Sequence, residues 1–226
     1  MDIGATMSDL LELNGIVLSS MPIGEYDRRL VLLTRERGRI SAFAKGARRQ
    51  GSSLQAGSRP FSFGIFYIYE GRNSYTVRSM EIRNYFENIS MDLEETCYAS
   101  YFMEFADYYG REGIDETEML QLIYVSLLAL EKKSLPKPLV RYIYELRAMA
   151  IHGEYSEAPF AKTGESAAYA WNYVLASPLE KLYTFTLSYS VFCEFAQAVE
   201  KLKAYYMDRN FRSLEILDTV AESRPL

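Results

Sequence analysis

The stretch Gly38–Arg49, "GRISAFAKGARR", alternates small apolar residues with larger polar or aromatic ones and then enters a basic loop. Because successive side chains of a β-strand point to opposite faces, the alternation predicts a half-buried strand. One face carries small apolar side chains suited to a barrel interior: Ile40, Ala42 and Ala44. The other face interleaves two cations with a hydroxyl and an aromatic ring: Arg39, Ser41, Phe43 and Lys45.

Short apolar or alternating segments surround this strand on both sides. They are "NGIVLSS", "RRLVLLT" and the two arms of "FSFGIFYIYEGRNSYTVRSMEI", which turn at Gly71–Ser74. Five short strands within about 70 residues indicate a small Greek-key barrel of the oligonucleotide-binding (OB) kind, or an SH3-like barrel.

The rest of the chain has helical signals. Asp115 and Glu118 form a capping box ahead of "MLQLIYVSLLALEKK", and "SLPKP" separates that helix from "LVRYIYELRAMAIHG". A second capping box, Ser177–Glu180, predicts one long helix through "LYTFTLSYSVFCEFAQAVEKLKAYY", and a last short helix is expected at "RSLEILDTVAES". Residues 154–168 are polar and turn-rich and are expected to form a loop.

These signals predict a multidomain α+β protein. Residues 1–83 would form a five-stranded OB-fold β-barrel, and residues 84–226 would form an all-α helical domain. Aromatic rings in "YASYFMEFADYYG" and "YTFTLSYSVFCEF" recur at helical spacing, which favours core packing; the alternative is a groove for an apolar peptide end.

The charge follows the same division. Lys and Arg number 25 against 30 Asp and Glu, yet residues 15–83 hold 12 basic and 5 acidic side chains. Residues 84–226 hold 13 basic and 22 acidic side chains. A basic front joined to an acidic rear suggests two modules with different partners.

The composition also indicates the cellular compartment of the protein. No apolar run approaches the roughly 20 residues that span a bilayer, and no basic segment precedes an apolar core near the N-terminus. Cys97 and Cys193 lie far apart among apolar and aromatic residues, so two buried free thiols are expected. We therefore expect a cytoplasmic protein without membrane contact.

No motif supports catalysis. His152 is the only histidine, and there is no G-x-S-x-G elbow, no GxxxxGK[ST] phosphate loop and no GxGxxG. The carboxylate clusters "DLEE" and "DETE" stand at helix starts, where they complement the helix dipole. We expect no enzyme activity, no catalytic residue, no cofactor, no metal site and no small-molecule substrate.

The basic segment predicts nucleic-acid binding. Phosphates are neutralised by Lys and Arg, while bases stack on aromatic faces without regard to sequence. The loop after the strand, on a flexible backbone, adds Arg48, Arg49 and Arg59. A solvated surface charge cluster, with Phe43 turned into the core, is the alternative interpretation.

A resemblance narrows these possibilities. The segment Gly15–Arg72 resembles the N-terminal domain of the bacterial recombination mediator RecO family. The match lies in a Gly-Glu-x-Asp element, a "TRE-x-G" turn, a "KGARR" loop and a "PF" that opens the next strand: Gly24, Glu25, Asp27, Thr34–Glu36, Gly38, Lys45–Arg49, Pro60 and Phe61. "RYIYELRAMAIHGEY" and "RNFRSLEIL" resemble two helices of the family more loosely.

The resemblance implies a function. It implies an OB fold that binds single- and double-stranded DNA without sequence specificity and anneals complementary strands. It also implies a helical domain that meets RecR and the acidic C-terminal tail of single-strand-binding protein, and so helps to load the RecA recombinase. Arg39, Lys45 and Arg48 occupy family-typical basic positions. Charge, or ring stacking for Phe43, adds the remaining candidates: Arg35, Arg37, Phe43, Arg49, Arg59 and Arg72.

The helical domain offers two candidates for the acidic tail, Arg141 and Arg147. Many family members carry a four-cysteine zinc module after the Glu-Leu helix, whereas this chain has "EYSEAPFAKTGESAAYAW" there, without cysteine. A zinc module is therefore not expected. Two other functions stay open: an adaptor whose basic loop meets an acidic protein, and an RNA-binding OB module.

Overall fold

The computed structural model describes residues 10–72 and 74–222. Five strands come first: β1 (Leu10–Ile23), β2 (Asp27–Thr34), β3 (Gly38–Ala44), β4 (Phe63–Glu70) and β5 (Tyr75–Asn84). Helices follow: α1 (Leu93–Tyr109), α2 (Thr117–Leu130), α3 (Lys137–Ile151), α4 (Glu165–Ala176), α5 (Tyr189–Tyr206) and α6 (Arg212–Glu222). The predicted order of a strand-rich front and a helical rear is confirmed.

The strands form a closed barrel in the order β1-β2-β3-β5-β4. β1 serves two neighbours, because its first half pairs with β4 and its second half with β2. A bulge between Val17 and Ser19 bends β1 around the barrel. Closure is completed by a parallel pairing of β3 with β5 at two positions, Ala42 with Tyr75 and Phe43 with Thr76. This is the five-stranded OB-like architecture that the strand pattern predicted.

The barrel interior follows the period-two pattern of β3. Ile40, Ala42 and Ala44 are at most 1% exposed and belong to the barrel core, together with apolar side chains of the other four strands. Ala47 and Leu54 join this core from the segment after β3. That segment, residues 45–62, is a series of hydrogen-bonded turns rather than the flexible loop that we expected. Burial of its apolar side chains in the barrel core holds this segment in place.

The chain divides into two compact units. The barrel unit extends to Phe86 and also takes in Gly110–Leu120. The helical unit contains Glu87–Tyr109 and the chain from Gln121 onward. The division of the sequence at residue 83 stays a proposal.

Aromatic rings fill the centre of the helical unit. Tyr101 lies edge-on to Phe105 and Phe211, at centroid distances of 5.7 and 5.2 Å, and Phe102 stacks on Tyr144 at 4.2 Å. The prediction that the first aromatic run packs in the core is confirmed. In the second run Phe195 is buried, but Tyr189 is 84% exposed.

The predicted long helix from Ser177 is wrong. A single 3₁₀ turn, Leu179–Lys181, is followed by residues without helical structure, and α5 begins only at Tyr189. The carbonyl of Lys181 accepts the Thr184 hydroxyl at 2.8 Å, which caps the turn with a side chain. In the same segment Tyr183 is hydrogen-bonded to a residue of α2, since its hydroxyl lies 2.6 Å from that of Ser126.

Two further expectations are corrected. The predicted loop 154–168 ends early, because α4 begins at Glu165 and buries Trp171 completely. Glu194 accepts the Gly164 N–H at 2.6 Å at the start of this helix, a contact that local sequence does not reveal. Cys97 is buried as expected, but Cys193 is exposed, since it lies in the exposed first turns of α5.

Candidate nucleic-acid interface

The outward face of the barrel carries a row of paired residues that runs across four strands. Arg29 on β2 is opposite Phe43 on β3, Phe43 is opposite Thr76 on β5, and Thr76 is opposite Tyr69 on β4. Directly opposed residues point to the same side of a sheet. Because the neighbouring residues Leu30, Ala42, Ile68 and Val77 are core residues, this row faces outward. We call Arg29, Phe43, Thr76 and Tyr69 the outer row.

The outer row combines rings and cations. Phe43 and Tyr69 are each half-buried, so part of each side chain is accessible. Arg78 lies over the Tyr69 ring at 5.8 Å, and Arg29 donates from Nε to the Ser41 hydroxyl at 2.8 Å. With strands about 4.8 Å apart, the outer row spans ~14 Å. It offers two rings for stacking with a cation next to each ring, the combination that binds single-stranded nucleic acid.

Sequence reasoning placed Phe43 correctly on the outward face but missed Arg29, Tyr69 and Arg78. Arg29 could have been identified from the sequence, because the short "TRERG" turn sets the register of β2 against β3 and so places Arg29 opposite Phe43. Tyr69 and Arg78 join Phe43 only through the pairing of β3 with β5. No local signal in the sequence announces that pairing.

The "KGARR" loop is clamped onto the turn between β1 and β2. Asp27 accepts the Gly46 N–H at 2.7 Å, where Gly46 has a positive φ of 69°. Arg48 donates its N–H to the Tyr26 carbonyl at 2.8 Å and its guanidinium to the Gly24 carbonyl at 3.1 Å. Arg49 lies over the Tyr26 ring at 4.9 Å. The Gly-Glu-x-Asp element and the "KGARR" loop, which both carried the resemblance, are therefore in direct contact.

This clamp places cations at the end of β3 that leads into the loop, which we call the loop end. Lys45, Arg48 and Arg49 are all exposed there. No described carboxylate lies within ion-pair distance of these three residues, of Arg29 or of Arg78. The positive charge at the loop end and along the outer row is therefore open to an anionic ligand.

The opposite end of β3, the turn end, carries arginines beside acids. Arg37 forms an ion pair with Glu70 at 3.1 Å, and Tyr75 donates its hydroxyl to Glu112 at 2.8 Å. Burial, followed by the hydrogen bond to Glu112, raises the pKa of Tyr75 to about 12.

The other two arginines of the turn end, Arg35 and Arg39, lie near the segment that follows α1. Hydrogen bonds from Thr117, with a smaller contribution from Arg35, lower the pKa of the Asp115 carboxyl. Arg39 donates its backbone N–H to the Arg111 carbonyl at 3.1 Å. The structure thus separates Arg35, Arg37 and Arg39 from the cations of the loop end.

Two predicted residues stand in other turns of the barrel unit. Arg59 is exposed near the end of the turn segment, where the following Phe61 and Ser62 exchange backbone hydrogen bonds with Val17 on β1. Arg72 is exposed in the turn between β4 and β5; Asn73 of the same predicted turn lies outside the described residues. The nine predicted DNA-binding residues therefore do not form one patch, and their role stays a prediction.

The two candidates for an acidic tail are engaged within the helical unit. Arg141, with its side chain 14% exposed, donates to Glu145 and to Glu200, each at 2.7 Å. Arg147 donates to the backbone carbonyls of Val174 and Leu175 at the end of α4. An acidic tail would have to displace Glu200 to reach Arg141, and the tail-binding prediction stays a prediction.

The remaining candidates for chemistry have structural roles. His152 caps the end of α3, stacks on Tyr109 at 4.2 Å and lies with Nδ1 2.8 Å from the Ala148 carbonyl. Within residues 10–72 and 74–222, no three His, Cys, Asp or Glu side chains group so as to hold a metal ion. Among the described helices, none has the length and apolar character needed to cross a bilayer.

Two family models match this chain. The one described as "Recombination protein O N terminal" matches residues 7–86, and "Recombination protein O C terminal" matches residues 90–157. The chain is 28% identical to the DNA repair protein RecO of Acetivibrio thermocellus, over 93% of this chain and 97% of that protein. It is 34% identical to the protein of that name from Alkaliphilus metalliredigens, over 64% of this chain and 58% of that protein. For Bacillus subtilis the identity is 31%, over 66% and 58%.

Proposed function

The chain belongs to the RecO family of bacterial DNA repair proteins, and from that premise we propose that it is a non-catalytic mediator of repair and recombination. It binds single- and double-stranded DNA without sequence specificity and anneals complementary strands. With RecR it helps to load RecA onto DNA coated with single-strand-binding protein, in the cytoplasm at the nucleoid.

One observation carries the DNA-binding part of the proposal. In the outer row Arg29 is opposite Phe43, Arg78 lies over the Tyr69 ring, and the loop end adds Lys45 with its neighbouring arginines. Rings stack on any base, and cations contact phosphates that every sequence shares. The arrangement therefore supports sequence-independent binding, and one OB fold of this kind covers ~4–16 nucleotides.

Annealing follows from the same chemistry. A surface that neutralises phosphates lowers the repulsion between two strands, while leaving base edges open to pair. The roles in RecA loading, with RecR and the tail of single-strand-binding protein, rest on membership in the family. The absence of a catalytic step is part of the proposal; it is supported by the structural roles of His152 and of the helix-start carboxylates.

The experiment is a titration of the full chain against a labelled single strand, followed by fluorescence anisotropy. We expect binding that weakens steeply with salt, and faster pairing of two complementary labelled strands in the presence of the protein. RNA of equal sequence should bind no better than DNA; a clear preference for RNA would favour the RNA-binding module. Failure to bind any single strand at low salt would refute the proposal and favour the adaptor.

A further inference from the structure

The hairpin of β1 and β2 exposes three large apolar side chains close together in the chain. Met21 is 53% exposed, Ile23 37% and Tyr26 42%. Met21 is opposite Arg29, a member of the outer row, and therefore lies on the same side of the barrel. Ile23, two residues further along β1, shares that side. An exposed apolar surface thus leads from the outer row towards the turn that carries Tyr26.

The Tyr26 ring is held by the loop that follows β3. Arg49 lies over the ring at 4.9 Å, and a Cβ at Gly46 would lie 3.6 Å from Cδ of the same arginine. The Gly46 N–H in turn donates to the Asp27 carboxylate at 2.7 Å. Asp27 is two residues from Arg29, so its side chain is on the side of β2 that faces outward with the outer row. A ring fixed in this way loses little conformational entropy when a base stacks on it.

The charge around this ring indicates the kind of ligand. Lys45, Arg48 and Arg49 are exposed at the loop end, and Arg48 donates to two backbone carbonyls of the turn. These cations outnumber the exposed carboxylate of the turn, Glu25. An apolar ring among cations suits a ligand that has both negative charge and flat apolar faces. A single nucleic-acid strand has both.

We propose that Tyr26 is a third nucleobase-stacking site, which a single strand reaches after it crosses Tyr69 and Phe43 in the outer row. The inference rests on the proposed function, since it extends the path of the same strand. Tyr69 and Phe43 are separated by β5, a distance of ~10 Å in all. Tyr26 is three residues from Arg29, which is opposite Phe43, and this adds ~10 Å. At about 3.4 Å per stacked nucleotide, the outer row takes about four nucleotides and all three rings take about seven.

The test is the variant Tyr26→Ala in the full chain, titrated by fluorescence anisotropy with labelled single strands of ~12 and ~4 nucleotides. We expect affinity for the longer strand to fall about 5- to 150-fold, the contribution of one base stacked on a ring. The shorter strand fits on the outer row, so its affinity should hardly change. The slope of log affinity against log salt should stay the same, because no cation is removed. The contacts of Arg48 are to backbone carbonyls, so the variant keeps them.

Two further variants control for chemistry and for position. Tyr26→Phe keeps the ring and should bind the longer strand as the wild-type chain does. Tyr85→Ala removes a ring of similar exposure, 38%, from the same barrel unit. Tyr85 follows the end of β5, where Asn84 is opposite Phe63. Phe63 is six residues along β4 from Tyr69, a distance of ~20 Å, so we expect Tyr85→Ala to leave both affinities unchanged.

The outcomes separate this inference from the proposed function. A loss confined to Tyr26→Ala and to the longer strand supports the third stacking site. A Tyr26→Ala chain that binds both strands like the wild type, or that loses affinity for both equally, would refute it and leave the proposed function intact. A loss as large with Tyr26→Phe would assign the effect to the hydroxyl and refute stacking. A wild-type chain that binds no single strand would refute both proposals.

Discussion

Replacing three cations that line the outer row and the loop end tests whether this surface, and not charge in general, binds DNA. The variant is Arg29→Gln, Lys45→Gln and Arg78→Gln in one chain. All three side chains are exposed, and no described carboxylate lies within ion-pair distance of them. Their removal costs the fold little, because the hydrogen bond from Arg29 to Ser41 is exposed.

The magnitude follows from counterion release. Each phosphate contact on a single strand contributes about 0.7 to the slope of log affinity against log salt. Loss of three contacts should therefore flatten the slope by about 2. Affinity at ~50 mM salt should fall by an order of magnitude more than affinity at ~200 mM salt. The assay is fluorescence anisotropy with a labelled single strand, with circular dichroism to verify the fold.

The control variant changes the same net charge elsewhere. Arg35→Gln, Arg37→Gln and Arg59→Gln remove three cations that the sequence also nominated, but that lie at the turn end or beside β1. Since Arg37 is paired with Glu70 and Arg35 lies near Asp115, we expect the slope to change by less than about 0.5. Equal flattening by both variants would show that the outer row has no special part in binding.

Three further predictions concern stacking, packing and pH. Phe43→Ala should weaken single-strand binding by ~1–3 kcal/mol without changing the salt slope, and should leave duplex binding nearly unchanged; anisotropy with both ligands measures this. Gly38→Ala should lower the free energy of unfolding by about 3 kcal/mol or more, because its Cβ meets the Arg111 carbonyl at 2.1 Å. The control Gly51→Ala, with a φ of 76° and open space around it, should cost only about 1 kcal/mol in the same urea titration. Burial opposes ionisation of Glu200, but hydrogen bonding and charge from Lys203, with Arg141, outweigh it and lower the pKa of this carboxyl below 4.5. Its stabilising effect is thus present above that pH and lost as pH falls further, so Glu200→Gln should flatten the acid side of a urea-midpoint profile; an unchanged profile would contradict the assignment.

The helical unit shows where local patterns mislead. Ser177–Glu180 has the form of a capping box, yet the helix stops after one 3₁₀ turn because Thr184 caps Lys181 and Tyr183 is anchored on Ser126. Ser126 lies 57 positions before Tyr183, so the local sequence around Tyr183 does not reveal this contact. The start of α4 was missed for the same reason, since Glu194 supports it from another helix.

The sequence by itself determined the strands, a small five-stranded barrel and the placing of Phe43 on the opposite strand face from Ile40, Ala42 and Ala44. These depend on period-two alternation and on short turns, which are local properties of the chain. Only the tertiary structure decided which cations lie beside the rings of the outer row. Phe43 lies near Tyr69 and Arg78 only because β3 pairs with β5. The turn end of β3 is next to acidic residues because the segment after α1 returns to the barrel and pairs with Gly38. Such contacts join residues far apart in the chain, and their free energy depends on the assembled fold and not on any one segment.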